Sequence, residues 1–292
     1  MSEHGTSTVL RGERSGDDSG RTDRAQGPDP QRGTAGRGRR RILARLLADG
    51  MPLLLFGAWF WYSANVSAAE LPNPVDVGRA SIDLLVGESA VHTWTSMGRI
   101  LLSVLLAMGI GGLLVFMAGV LPVTDTLIGK RVLPFFNSVP ALGWAILGVI
   151  WFGVGDFAVI FVVTAITIPF CLVNLWEGMR ALDPGLLEMG RSFTRSRMRV
   201  LLSIELPLLV PYIFAAARLS FSVGWKVALI AEFFGSRTGL GLVMNRARQS
   251  FDSPTVFATI VVVLLIVTAV ERLVFDPLAQ WFAKRTGTAV AR

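Results

Sequence analysis

From residue 46 onward, uncharged apolar stretches alternate with short charged segments. Residues 133–153 and 157–176 carry no charge, and each reaches the roughly 20 residues that a helix needs to cross a bilayer core. Residues 100–123 and 254–270 form two more uncharged runs, the last dense in Val, Ile and Leu. Residues 46–66 are interrupted only by Asp49 and Asn65 and carry Trp59, Trp61 and Tyr62, where an interfacial aromatic belt belongs. A sixth run, 206–234, is more polar. The pattern predicts an all-α membrane protein with six transmembrane helices. The boundaries are a tail over 1–41, a first span over 42–66, an external segment over 67–95, a five-helix core over 96–275 and a second tail over 276–292.

The polar run has its own periodicity. At 100° per residue, Arg218, Ser222, Trp225, Lys226 and Glu232 share one arc of about 120° on a helix. Ionisable groups inside a membrane segment face the bundle interior or water, because lipid exposure costs several kcal/mol. The stripe therefore reads either as the lining of a path or as an internal structural ion pair with snorkelling ends.

Composition adds a puzzle. The chain is 52% hydrophobic yet carries 28 Lys and Arg against 21 Asp and Glu, a formal charge of +7. Much of that charge lies in the tail 1–41, which is poor in apolar residues and ends in Arg37-Gly38-Arg39-Arg40-Arg41. Such a composition predicts disorder. Its arginines alternate with acids and have no interleaved aromatics for base stacking, so a solvated cytoplasmic tail is preferred to a nucleic-acid tether. Roughly forty residues precede the first span, more than a cleavable signal allows, so a retained anchor is expected. Lys130 and Arg131, the arginines of 180–199, and Lys284 and Arg285 all fall on one side of a six-span topology. By the positive-inside bias, both termini are expected in the cytoplasm. Arg237, Arg246 and Arg248 fall on the opposite side, and 236–253 is expected to be partly re-entrant.

The loop between the fourth and fifth spans is not slack. Asp183-Pro184 is a helix start, since Asp caps free backbone N–H groups and proline at the first position forfeits nothing. A short helix over 184–194, a second basic helical stretch and a bend at Pro207 and Pro211 are expected. With Arg191, Arg195, Arg197 and Arg199, this loop reads as a docking surface or as a positive stop that fixes topology.

Here the chain resembles a known family. Permease subunits of binding-protein-dependent ABC importers carry a cytoplasmic loop of the form Glu-Ala-Ala, three residues, Gly, nine residues, Ile, one residue, Leu-Pro. Glu188, Ile204, Leu206 and Pro207 stand at those places. Met189-Gly190 replaces Ala-Ala, Arg191 follows, and Thr194 stands where Gly is usual. Leu71-Pro72-Asn73-Pro74, Ser96 and Arg99, residues 135–140, residues 151–156 and Leu182-Asp183-Pro184 are similar to the nitrate, sulfonate and taurine type.

The resemblance implies that the helix over 184–194 is a coupling helix between spans four and five, with Glu188 and Arg191 as polar contacts to an ATPase. It implies a dimer of ATP-binding subunits, a second permease copy, an extracytoplasmic solute-binding protein and a lipid bilayer as partners, and no nucleic acid. It also implies a small anionic solute such as a sulfonate, taurine or nitrate. No cofactor is expected on this chain, ATP being used by the partner subunit. Gly129-Lys130 is followed by Arg131, and Thr124 stands where a phosphate-binding loop begins with Gly, so the chain is not expected to be an enzyme. Cys171 lies mid-span, and His4 and His92 form no cluster, so neither a nucleophile nor a metal site is expected. The competing reading is an ion- or proton-coupled secondary transporter, which also needs intramembrane charges and broken helices.

Overall fold

The computed structural model describes residues 50–51, 54, 56–67, 70–120, 131–194 and 196–286. The chain divides into units Met1–Phe56 and Gly57–Arg292, and the helices α1 to α11 belong to the second. The tail expected over 1–41 lies outside the described residues, as does much of the first span. The end of that span is helical over 56–63, and the Trp59 indole donates to the Pro72 carbonyl at 3.2 Å.

The external segment is shorter and more ordered than 67–95 suggests. Helix α1, Pro74–Val86, starts where the Asn73 side chain accepts from the Val75 N–H and proline fills the first turn. Its buried positions Val77, Ser81 and Leu84 fall on one face, as an amphipathic helix requires. Helix α2, Ala90–Val120, then begins well before the expected boundary at 96. Nothing between Ala90 and Met97 stops a helix, and Thr93 donates to the Leu84 carbonyl at 2.6 Å, pinning the new start against α1.

The third expected span, 133–153, is broken into α3, Leu133–Ser138, and α4, Ala141–Phe152. Proline disfavours the helical conformation in the residue before it, and Val139 accordingly sits extended at φ −90° and ψ 120° ahead of Pro140. Helix α4 rises about 18 Å, short of the about 30 Å of a hydrocarbon core. It ends at Gly153, whose φ of 74° favours glycine.

Helix α5, Asp156–Ala181, is followed by the short α6, Pro184–Phe193, and α7, Arg197–Val200. A π-turn over Leu201–Glu205 leads into α8, Leu206–Gly235. Helix α9, Leu240–Gln249, is too short to cross and packs on α8 and on α10, Ser253–Val270. A second π-turn, Glu271–Phe275, joins α10 to α11, Asp276–Thr286, so the segment read as a tail from 276 is helical to Thr286.

The bend expected at Pro207 and Pro211 does not interrupt the helix: α8 runs through Pro211. Both π-turns explain how. The Leu206 N–H reaches back to Leu201, and the Asp276 N–H to Glu271; each time the next residue is proline, 207 or 277. A proline ring collides with the carbonyl four residues earlier in a regular helix, and a turn widened by one residue moves that carbonyl aside.

Among the described residues, Ala90–Ala118, Asp156–Ala181, Met198–Gly235 and Ser253–Phe282 are long and apolar enough to cross a membrane. The broken α3–α4 pair accompanies them. Helix α5, the most buried of the four, packs on α8, α2 and α4. At the crossing of α2, α5 and α8 sits Gly224, where an added Cβ would touch Ile100 at 3.4 Å and Val163 at 3.6 Å. The core around it contains Val104, Val159, Val162, Phe221, Trp225 and Val262.

Candidate functional site

Two groups of residues in this fold are candidates for function. The first is a polar clamp where α2, the start of α5, the end of α8 and α9 meet. Arg99, 4% exposed in its side chain, lies 2.8 Å from Glu232, which is fully enclosed. The same guanidinium pairs with Asp156 and donates to Ser236 at 3.0 Å and to the Thr238 carbonyl at 2.8 Å. Ser96 donates to Glu232 and accepts from the Leu240 N–H at 2.9 Å. The Gly241 N–H donates to Glu232 at 3.0 Å, and the Gly239 N–H to His92 Nδ1 at 3.1 Å. A carboxylate fed by a guanidinium, a hydroxyl and a backbone N–H is a satisfied ion, so the cluster tolerates burial. Chemically it holds α9 in place, and Arg99 Nε is the one donor of the guanidinium left buried without a partner.

The clamp divides the polar stripe read from the sequence. Glu232 and Trp225 are buried inside the chain and line no exposed face. Arg218 is half-exposed and sits with acids on the far helix, 3.3 Å from Asp276 and 4.0 Å from Glu271, while Ser222 donates to Glu271 at 3.0 Å. Lys226 is exposed. The five residues therefore share an arc but not an environment. The sequence reading missed Arg99 and Ser96 as partners of Glu232, and Asp156 as the second acid on Arg99. The available signal was a charge at the edge of each apolar run, with opposite signs.

The second site is the loop around α6. Asp183 accepts from the Gly185 N–H at 2.8 Å and Pro184 occupies the first turn, so the helix starts where expected. It packs on α7 and the first π-turn. Gly190 is buried, and a Cβ there would run into the Ile204 side chain. Beside Gly190 on the helix circumference, within about 100° of it, Leu186, Met189 and Phe193 are 40, 52 and 83% exposed, and Glu188 on the far side is exposed too. The Arg191 side chain lies outside what is described, as does Arg195. Thr194 ends the helix extended, at φ −151°, so no glycine conformation is needed there, and its hydroxyl accepts from the Ser196 N–H at 3.3 Å. Leu206 and Pro207 are exposed where α8 begins.

The family model described as binding-protein-dependent transport system inner membrane component matches residues 112–287. An ABC transporter permease protein of Brucella melitensis is 28% identical over 250 residues, covering 82% of this chain and 99% of the relative. The aliphatic sulfonates transport permease protein of Bacillus subtilis is 28% identical over 74% of this chain and 79% of its own length. The taurine transport permease protein of Escherichia coli is 27% identical, covering 62% of this chain and 65% of its own. Among solved structures, the MetNI methionine ABC transporter in an inward-facing conformation superposes with a TM-score of 0.57 at 17% identity, over 68% of this chain and 97% of that one.

Proposed function

Because the chain belongs to the family of binding-protein-dependent transport system inner membrane components, we propose that α6 is its coupling helix and that two copies enclose the solute path. The chain is a multi-pass inner-membrane permease subunit of an ABC importer, a transport subunit whose ATPase is a separate chain. Its partners are that ATPase and a solute-binding protein. Family membership replaces the secondary-transporter reading.

The observation that carries the coupling role is the exposed apolar edge of α6. The helix is seated through Gly190 on Ile204, and the adjoining side presents Leu186, Met189 and Phe193. Three apolar side chains held out on a short rigid helix fit a groove on a partner protein. Glu188, Met189, Gly190, Arg191 and Thr194 are the coupling segment, and Ile204, Leu206 and Pro207 its seat and exit. Since α7, the π-turn and α8 follow without a break from Arg197 to Gly235, a push on α6 is delivered along α8. Closure of the ATPase pair on nucleotide then opens the path to one side, and hydrolysis to the other. The chain itself holds no nucleotide. Both termini lie in the cytoplasm, on the side of α6.

The solute is a small anion of the sulfonate, taurine or nitrate kind. Relatives named for aliphatic sulfonates and taurine support this reading. The test is co-purification and uptake. A tagged chain captures an ATPase subunit and a second copy of itself, and taurine or alkylsulfonate uptake stops on ATP depletion. Absence of the ATPase, with uptake surviving depletion, overturns the coupling role.

A further inference from the structure

The outer face of α8 is a nearly uninterrupted apolar stripe with one charge in it. Ala215, Leu219, Lys226, Ile230 and Phe234 are all exposed and fall within about 100° of the helix circumference. Lys226 stands nine residues before Gly235 and twenty after Leu206, about 13 Å and about 30 Å from the two ends of the helix. Its neighbours in the polar stripe are neutralised within the chain, Glu232 by Arg99 and Arg218 by Asp276 and Glu271. Among the described residues Lys226 has no ion-pair partner.

A lysine at this depth does not face lipid without cost. Snorkelling to the nearer end is opposed by geometry. Every Cα–Cβ bond in a helix tilts toward the N-terminus, so the Lys226 stem starts toward the middle of α8, away from Gly235. Burial against a dry protein face would demand a carboxylate partner. Water in a path enclosed by two copies satisfies the ammonium instead.

We propose that Lys226 of each of two copies lines the solute path and is the cation that an anionic solute meets in transit. The inference rests on the reading that two copies enclose the path, and it adds the residue and the charge preference. An ammonium is a compact point charge on a flexible stem, without the fixed fork with which a guanidinium grips a carboxylate or sulfonate bidentately. A path needs this weaker hold, because a solute that binds tightly midway does not leave. The two remaining ionic clusters of α8 then have structural work, and selectivity for charge falls on one position per copy.

The experiment uses the full chain in native membranes with its single cysteine removed by Cys171→Ala. Cys171 is buried beside Ser220, so the background change is local. Ile230→Cys, one turn from Lys226 on the same stripe, is the reporter. It is probed with water-soluble anionic and cationic methanethiosulfonates and with lipid-soluble N-phenylmaleimide. The introduced thiol reacts with both water-soluble reagents and faster with the anionic one. Lys226→Gln lowers the anionic-to-cationic rate ratio about tenfold, because the lost charge had attracted one reagent and repelled the other, and Lys226→Arg preserves it. Lys226→Met serves as a second neutral variant. Reaction with the maleimide alone, or a ratio unmoved by the neutral variants, overturns the proposal. Neither result touches ATPase capture through α6, so failure here and failure of the importer reading are separable.

Discussion

Arg99 and Glu232 stand 133 residues apart in sequence and 2.8 Å apart in the fold, both closed off from solvent. Removing one partner of a buried pair leaves an uncompensated charge. Glu232→Ala is therefore expected to lower stability by about 3 kcal/mol, because Arg99 keeps only the exposed Asp156 as counter-ion. It also strips acceptors from Ser96 and the Gly241 N–H. Thermal unfolding of the detergent-solubilised chain measures this. Arg99→Met combined with Glu232→Met recovers part of the loss, since no lone charge remains. A double variant no better than the single one contradicts the account.

Gly239 tests the same clamp through the backbone. Its φ of 109° favours glycine, and an added Cβ would run into the Glu232 carboxylate. Gly239→Ala thus carries both backbone strain, about 1–3 kcal/mol, and a clash. The expected outcome is faster proteolysis within α9 and lowered melting, with the chain still inserted. Gly153→Ala, at φ 74° but with nothing near its Cβ, carries only the strain and is milder.

The apolar runs made the helices legible, because hydrocarbon thickness sets their length and charge interrupts them. The α6 start was legible for a local reason: Asp183-Pro184 caps and orients a helix without help from the rest of the chain. Partnerships were not legible. Glu232 looked like a member of a polar stripe on its own helix, whereas its counter-ion sits on α2. Periodicity on one helix gives an angle, and burial depends on which neighbour covers that angle. The π-turns were equally hidden. Proline announces a conflict with a regular helix, but not that Pro207 and Pro277 resolve it by widening the preceding turn.

The seat of α6 is tested by size. Gly190→Val places a branched side chain against Ile204, and overpacking of this kind costs about 1–3 kcal/mol locally. Because α6 is small and surface-mounted, the chain still inserts, but α6 is displaced from its seat. Uptake is expected to fall at least tenfold while membrane levels stay near normal, as overpacking tilts the docking face. Ile204→Ala on top of Gly190→Val reopens the space and restores part of the activity. Equal uptake in the wild type and Gly190→Val removes the seat from the mechanism.

Phe193 tests the docking face without touching that seat. It is 83% exposed at the end of α6, one helical turn from Met189, and its removal leaves no cavity in the chain. Phe193→Asp is therefore expected to change stability by less than about 0.5 kcal/mol, the usual scale for a surface substitution. If the exposed face enters an ATPase groove, the same change places a charge in an apolar contact and costs several kcal/mol of binding. ATPase capture by the tagged chain then drops sharply, although melting and insertion do not move. Glu188→Lys with Arg191→Glu is the charged counterpart, expected to uncouple uptake with insertion intact. A Phe193→Asp chain that still captures its ATPase at wild-type yield takes this face out of the interface. A fall in melting would show instead that Phe193 works inside its own chain.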